Sequence, residues 1–351
     1  MSGAEHPLDG RGSNADPPER PDSAGRPASD VSPAWRIIAI AAFALLLGGL
    51  WVEYRNSPFA QPLGGHIVSA FFCLALLLAP LWFFGFGAAN ALRSILHKRW
   101  QSVAMASLGC LPNLVFSIPR HEFQWVLALA MAGFPVLLAA VLAYPEAGPR
   151  FSWRDAVVLL ALATVLELGL LTPAWPFAGL GSLPKLYLAD VALYLYLVVR
   201  PIDGMGYSLI PTGKGLLIAM REWLFFAPLG IGLGLALKFI AFHPRLPSPS
   251  HAITAIVVTF LLTAMPEELF FRGILQNLLE GRLGRTGSLI LASALFGLSH
   301  FHKGAAFNWR YVLLATIAGV FYGRAWRAER RVMTSALTHT AVDVVWGLWF
   351  R

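Results

Sequence analysis

The sequence predicts an all-α fold, a polytopic transmembrane helical bundle with about 8–11 spans. Hydrophobic residues fill 57% of the 351 positions and charged residues only 13%, a composition too apolar for a soluble domain. Several apolar runs reach the length of about 20 residues that a helix needs to cross a bilayer. Arginines lie mostly between these runs, as in loops that face the cytoplasm and its anionic lipid. We therefore expect an integral multi-pass protein of the cell or inner membrane.

Taken in order, the chain divides into a tail and two membrane regions. Residues 1–33 are rich in Pro, Gly, Ser, Asp and Arg, and we expect them to be disordered. An N-terminal accessory transmembrane region is predicted over residues 34–205, and a second helical bundle over residues 215–351. The stretch 103–118 is interrupted by Pro112, so it predicts a further span, a re-entrant piece or an interfacial helix. The apolar runs are 36–52, 67–92, 123–144, 155–171, 186–199, 216–240, 252–279, 288–302, 311–328 and 332–349.

The charge and the cysteines of the chain argue against two kinds of site. The formal net charge is +8. It comes from arginines in the loops of a membrane protein, so we expect no nucleic-acid partner. The two cysteines, Cys73 and Cys110, are far apart and each lies in an apolar run. They lack the spacing of a metal site and are interpreted as inert buried thiols, and we expect no cofactor.

Two adjacent carboxylates and a guanidinium lie inside an otherwise apolar run, in the stretch Pro266–Gly273. Charged groups are costly in hydrocarbon unless they face the bundle interior and find partners. Glu268 and Arg272 are four residues apart, so they share a helix face and can pair. Glu267 points about 100° away and is left free for another task. The alternative interpretation is a structural Glu–Arg pair that locks two helices together.

Two later apolar runs also carry ionisable residues. His300 follows Phe296 by four positions, and His339 and Asp343 are four apart, so they share one helix face. If the loops next to these runs lie on one side, Glu267 and His300 lie at depths of roughly 18 Å and Asp343 roughly 16 Å. Three separate helices would then bring their polar groups to one layer of the bundle. Glu167 and Asp190, by contrast, have no obvious partner and are interpreted as structural, and Glu222 as a charge near a helix end.

Three motifs, in this order and each on an apolar helix, carry a resemblance to a known family. They are Glu-Glu-x-x-x-Arg (Glu267, Glu268 and Arg272), Phe-x-x-x-His (Phe296 and His300) and His-x-x-x-Asp (His339 and Asp343). Together they resemble the CPBP family of intramembrane proteases, which includes the type II CaaX prenyl endopeptidases and the bacterial Abi proteins. The resemblance covers residues 215–350, so a C-terminal CPBP-like catalytic bundle is expected over residues 215–351.

The resemblance implies a glutamic-type endopeptidase without a covalent intermediate and without a metal. Glu267 and His300 would activate a water molecule for attack on a peptide carbonyl. Glu268 and Arg272 would support the first glutamate and shape the cavity. His339 and the residue at position 343 would stabilise the oxyanion.

Position 343 departs from the usual pattern of the family, because many members have Asn there. Asn carries N–H donors, whereas an ionised Asp only accepts hydrogen bonds. Asp343 is therefore either kept protonated by its apolar setting or orients His339, which would then be the sole donor. We favour the second interpretation.

The sequence leaves two other functions open. The same carboxylates and imidazoles could bind a divalent metal in a metal-dependent membrane hydrolase, although the sequence contains no His-Glu-x-x-His motif. Alternatively, a non-catalytic transporter or an immunity-type binding protein could use buried charges for ion relay or helix docking. For the protease, the expected partners are the lipid bilayer and a membrane-associated peptide or protein substrate, with or without a lipid anchor.

Overall fold

The computed structural model of the chain describes residues 32–57, 60–143, 151–303 and 307–350. Apart from one isolated antiparallel bridge between Phe242 and Phe350, these residues form helices, turns and loops without strands. The predicted all-α fold is therefore confirmed. The predicted disordered tail, residues 1–33, lies almost wholly outside the described residues, which begin at Ser32.

Fourteen α-helices follow one another in the described residues. They are α1 (Pro33–Arg55), α2 (Ile67–Gly85), α3 (Ala88–Ile95), α4 (Arg99–Met105), α5 (Leu111–Ser117), α6 (Trp125–Leu142), α7 (Trp153–Glu167), α8 (Leu183–Tyr194), α9 (Gly213–Ala236), α10 (Pro249–Thr259), α11 (Met265–Glu268), α12 (Asn277–Leu298), α13 (Trp309–Glu329) and α14 (Val332–Trp349). Short 3-10 and π-helical segments join several of them.

Six helical segments in the described part of the chain are long and apolar enough to cross a membrane. They are Pro33–Arg55, Gln61–Gly85, Arg99–Arg120, Trp125–Leu142, Gly213–Ala236 and Pro249–Leu298. The ambiguous stretch 103–118 is thus continuous helix, and Pro112 lies in the first turn of α5. The prediction of about 8–11 spans also included apolar runs that form shorter or more polar helices in the structure. Among these helices are α7, α8, α13 and α14.

The surface of α9 shows why this bundle belongs in lipid. Leu217, Leu224 and Phe225 are 75%, 53% and 55% exposed, whereas Glu222 on the same helix is completely buried. Glu222 forms an ion pair of 3.0 Å with Arg324 of α13. The interpretation of Glu222 as a simple helix-end charge is therefore wrong, since this residue ties two helices together inside the bundle. Polar groups inside and apolar groups outside suit a hydrocarbon solvent.

The N-terminal helices and the C-terminal helices share one hydrophobic core. Helix α2 packs against α5 and α8, while α9, α13 and α14 pack against one another. Helix α8 also contacts α11 and the helical segment that follows it, so α8 joins the two regions. One cluster of buried apolar residues includes Leu77 of α2, Leu186 of α8 and Ala336 of α14. The predicted domain division between residues 205 and 215 stays a prediction.

The helical stretch from Pro249 to Leu298 changes its winding around the paired glutamates. Helix α11 (Met265–Glu268) lies between two π-helical segments, Phe260–Ala264 and Leu269–Gln276. Pro266 has no N–H and cannot complete the regular α-helical ladder, and π-helical turns are frequent at functional sites. Gly284 then breaks α12 with φ +68°, a left-handed conformation that favours glycine. This break turns the chain back, so that His300 follows on the returning segment.

Candidate active site

Glu268 is the centre of a fully buried polar network. Its Oε1 atom lies 2.8 Å from Nη1 of Arg272 and 2.8 Å from Nδ1 of His339. Its Oε2 atom lies within hydrogen-bond distance of the hydroxyl of Ser335, whose single proton is shared between this oxygen and the backbone carbonyl of Tyr322 at 2.9 Å. The expected Glu268–Arg272 pair is present. Both oxygens of this carboxylate have partners, so Glu268 is held in place by its own helical stretch and by α14.

Arg272 is fixed by contacts beyond its carboxylate. Its guanidinium donates to the carbonyl of Gly319 at 3.1 Å and lies 4.4 Å from the ring centroid of Phe296. An aromatic face attracts a desolvated cation. Gly319 makes the close approach possible, because a Cβ atom there would lie only 3.0 Å from Nη2 of Arg272. The arginine therefore connects α11, which carries Glu267 and Glu268 and is called the glutamate turn below, to α12 and α13.

Glu267 points away from this network, as the helical geometry predicts. Its Oε1 atom accepts a hydrogen bond from Nζ of Lys185 at 2.6 Å, and its Oε2 atom lies 3.9 Å from Nε2 of His339. We expected Glu268 and Arg272 to support Glu267. In the structure these two residues contact His339 and α13, and Lys185 of α8 contacts Glu267. The supporting role of Glu268 and Arg272 stays a prediction.

His339 lies between carboxylates. Nδ1 faces Glu268, while Nε2 lies 3.3 Å from Oδ2 of Asp343. The ring stacks on Tyr322 with 4.5 Å between centroids and an interplanar angle of 15°. The pairing of His339 with Asp343 follows from their four-residue spacing on α14. The stacking on Tyr322 and the contacts with Glu268 and Asp343 together fix the orientation of the imidazole.

His300 follows the end of α12 and is held through its own backbone. Nδ1 lies 2.8 Å from the carbonyl oxygen of Phe296 and 3.2 Å from the hydroxyl of Ser299, and the ring lies 4.8 Å from that of Tyr311. Among the described residues, no hydrogen bond joins His300 directly to Glu267. Both side chains nevertheless line the same two cavities.

The two cavities meet at the candidate site. The first lies between α9, α13 and α14 and offers about 100 Å³ to water. The second, of about 310 Å³, lies between α7, α8 and the glutamate turn, and Glu167 and Lys185 contribute to its wall. Glu267, His300 and Lys303 line both. The carboxylate of Glu267 therefore lies between the two cavities. The first cavity belongs to the C-terminal bundle, and the second opens toward the N-terminal helices.

The six predicted site residues thus come together, and the structure adds residues that the sequence analysis missed. Ser335 lies four residues before His339, so helical spacing alone could have identified it as a member of the same face. Lys185 lies 82 positions before Glu267 and belongs to no motif, so only the fold brings them together. In the described ranges, no group of three or more His, Cys, Asp and Glu side chains is arranged to hold a metal ion.

Comparison with protein families gives one match. Residues 249–345 match a family described as type II CAAX prenyl endopeptidase, Rce1-like. The matched range includes all six predicted site residues and ends before the C-terminus of α14. Lys185 and the N-terminal helices lie outside it. Neither the search of curated proteins nor the search of solved structures found a significant match.

Proposed function

Residues 249–345 are an Rce1-like domain of the protease class, and from this premise we propose that the chain is an intramembrane endopeptidase of the glutamic type. In this proposal a water molecule activated by Glu267 and His300 attacks a peptide carbonyl of a membrane-associated substrate. The carbonyl carbon gains the water oxygen, the C–N bond breaks, and the amine leaves with a proton. No covalent intermediate forms.

This proposal depends on one observation, that only one of the two carboxylate oxygens of Glu267 accepts a hydrogen bond from the described residues. Lys185 occupies Oε1, whereas Oε2 is buried and accepts no hydrogen bond from the described residues. Its separation of 3.9 Å from Nε2 of His339 is beyond direct hydrogen-bond range. Buried polar atoms nearly always have a partner, which can be a water molecule. A buried carboxylate oxygen that accepts no hydrogen bond from the described residues and lies next to a cavity suits a general base.

His300 offers a second acceptor beside the same cavities. The carbonyl of Phe296 can only accept a hydrogen bond, so Nδ1 of His300 carries the proton. In the neutral ring Nε2 is then an acceptor. Two acceptors suit a water that must lose a proton to one group and be oriented by the other.

His339 is placed to stabilise negative charge. Both of its nitrogens face carboxylate oxygens, and a ring that donates to both is protonated at both positions. A fixed cation beside the point where an oxyanion develops lowers the barrier, because it needs no reorganisation during the reaction. Asp343, as an acceptor at Nε2, supports the interpretation that it orients the imidazole rather than donating to the oxyanion itself.

The substrate class follows from the walls of the first cavity. Apolar side chains of α9, α13 and α14 line it, among them Trp223, Phe226, Ile231, Leu314 and Trp346. Helix α9 presents Leu217 and Phe225 to its surroundings on its other side. An apolar peptide segment or a lipid-modified peptide that enters between these helices can therefore reach Glu267 without crossing water. We propose a membrane-associated peptide or protein substrate, with or without a lipid anchor.

The test is a comparison of peptide termini in membranes from cells that carry the native chain or the Glu267→Gln variant. The proposal predicts new termini with the native chain that are absent with Glu267→Gln. Glu53→Gln is the matched control, since Glu53 is an exposed glutamate of α1 outside the site. Identical termini in the native and Glu267→Gln membranes, at equal protein levels, would remove the protease from consideration. A set of termini lost upon chelator treatment would indicate a metal-dependent hydrolase instead.

A further inference from the structure

The strongest contact of Glu267 comes from outside the Rce1-like domain. Nζ of Lys185 lies 2.6 Å from Oε1 of Glu267, with side-chain exposures of 26% and 11%. Lys185 belongs to α8, more than 60 residues before the first matched position, 249. The N-terminal membrane region therefore does more than pack against the candidate site, because it supplies a charged group to it.

The position of Lys185 is set by packing rather than by a flexible surface contact. Leu186 and Leu188 of α8 are buried in the core that both regions share. Helix α8 contacts α11, which carries Glu267, and also the π-helical segment Leu269–Gln276. An ion pair between two packed helices has less side-chain entropy to lose than an exposed pair, so its geometry is well defined.

We propose that Lys185 is a positioning residue through which the N-terminal region controls the candidate base, Glu267. The ammonium holds Oε1 on the side of the second cavity. This orientation leaves Oε2 beside His339 and the first cavity, where the proposed water would bind. Without Lys185 the carboxylate could rotate about its side-chain torsions, and Oε2 would lose its fixed place. This consequence for catalysis rests on the proposed function.

Other charged groups surround Glu267 but do not share this role. His300 and Lys303 come from the segment after α12, His339 and Asp343 from α14, and Glu167 from the end of α7. Lys185 is distinguished by a direct hydrogen bond to Oε1, whereas His339 lies 3.9 Å from Oε2. Lys303 packs over the ring of Tyr311 at 5.5 Å. Lys185 is therefore the cation that fixes the carboxylate.

The first test needs no enzymatic activity. The full-length protein in detergent is treated with a small amine-acylating reagent, and labelling of Lys185 is measured by mass spectrometry relative to exposed Lys98. Loss of the carboxylate in Glu267→Gln should raise the labelling of Lys185 by about three- to fivefold, because the amine is released from its ion pair. Glu167→Gln is the matched control, since it neutralises another glutamate of the same cavity and should change labelling less than twofold.

The second test separates positioning from general packing. Lys185→Met retains the apolar stem and removes the charge. It should lower kcat by about 10- to 100-fold with KM within about threefold, since only the orientation of the base changes. Lys185→Arg should restore most of the loss because it keeps a donor cation. A KM effect alone, or no rescue by Arg, contradicts the proposal.

The two tests fail in different ways. Unchanged Lys185 labelling in Glu267→Gln overturns the positioning role, whatever the activity of the protein. Increased labelling together with absence of turnover in the native protein would keep the ion pair and overturn the proposed protease. Increased labelling with native kcat in Lys185→Met shows that the contact exists but does not position the base, which also overturns the proposal.

Discussion

Two sides of one helical turn differ in how completely their carboxylates are paired. On the buried side, Glu268 is fully enclosed and both of its oxygens have donors, from Arg272, His339 and Ser335. On the cavity side, Glu267 has one oxygen bound to Lys185 and one without a hydrogen bond from the described residues. Residues adjacent in sequence point about 100° apart on a helix, so one turn can serve two environments. The fully hydrogen-bonded carboxylate of Glu268 stabilises the fold, whereas the carboxylate of Glu267 keeps one oxygen that can accept a proton.

The largest expected effect follows from removing the available carboxylate. Glu267→Gln keeps the shape of the side chain but cannot take a proton. The cleavage rate of a substrate peptide identified from the membrane termini should fall by about 10²–10⁴-fold. Glu267→Asp should retain more activity than Glu267→Gln, because it keeps a base although it shortens the reach. Comparable rates for the native protein and the Gln variant would contradict a base at this position.

The second prediction concerns the enclosed carboxylate. Glu268→Ala leaves Arg272 buried without its carboxylate, and removal of one partner of a buried pair costs about 3–5 kcal/mol. The free energy of unfolding in detergent should decrease by this amount. Glu267→Ala should change it by less than half as much, because Lys185 is 26% exposed and can reach solvent. An equal loss in both variants would erase the distinction between the two sides.

The third prediction tests the link between the two sides, which is His339. Asp343→Asn should retain activity, since the amide oxygen still accepts from Nε2 at the observed 3.3 Å. Asp343→Ala should lower the rate by about 10- to 100-fold, because the ring loses its orientation beside the developing charge. Both variants matching the native rate would remove Asp343 from the mechanism.

The smallest expected effect belongs to Ser335. Ser335→Ala leaves one oxygen of Glu268 without its donor, which should lower the free energy of unfolding by about 1.5 kcal/mol. Ser299→Ala is a suitable comparison, because that hydroxyl contacts the backbone and His300 at the end of α12. A Ser335 variant as stable as the native protein would mean that the buried side tolerates an unpaired oxygen.

Helical periodicity was sufficient to predict much of this site. Four-residue spacings correctly placed Glu268 beside Arg272 and His339 beside Asp343, because side chains four apart share a helix face. Composition was sufficient for the membrane class, since few soluble chains are as apolar. Estimates of depth from the rise per residue placed Glu267, His300 and Asp343 in one layer, and the structure brings them to the same cavity.

The contacts that periodicity could not predict are those between helices distant in sequence. Lys185 reaches Glu267 only because α8 packs against α11, and no local pattern encodes that packing. Glu222 was interpreted wrongly because, besides its neighbour Arg221, it pairs with Arg324, which lies 102 positions later. The contacts of Glu268 with His339 and Ser335 of α14 likewise join residues far apart in sequence, and the support expected from Glu268 for Glu267 stays a prediction. Which side chains of different helices form pairs depends on tertiary packing, and a single sequence does not show that packing.

Two readouts on the Glu267→Gln variant decide whether Glu267 is the base. Membranes that contain Glu267→Gln are analysed for newly formed peptide termini, and the free energy of unfolding is measured on the same purified protein. We predict that these termini are lost relative to the native protein, while the free energy of unfolding stays within about 1 kcal/mol of the native value. Termini that persist in a stably folded Glu267→Gln protein would contradict the assignment of Glu267 as the base.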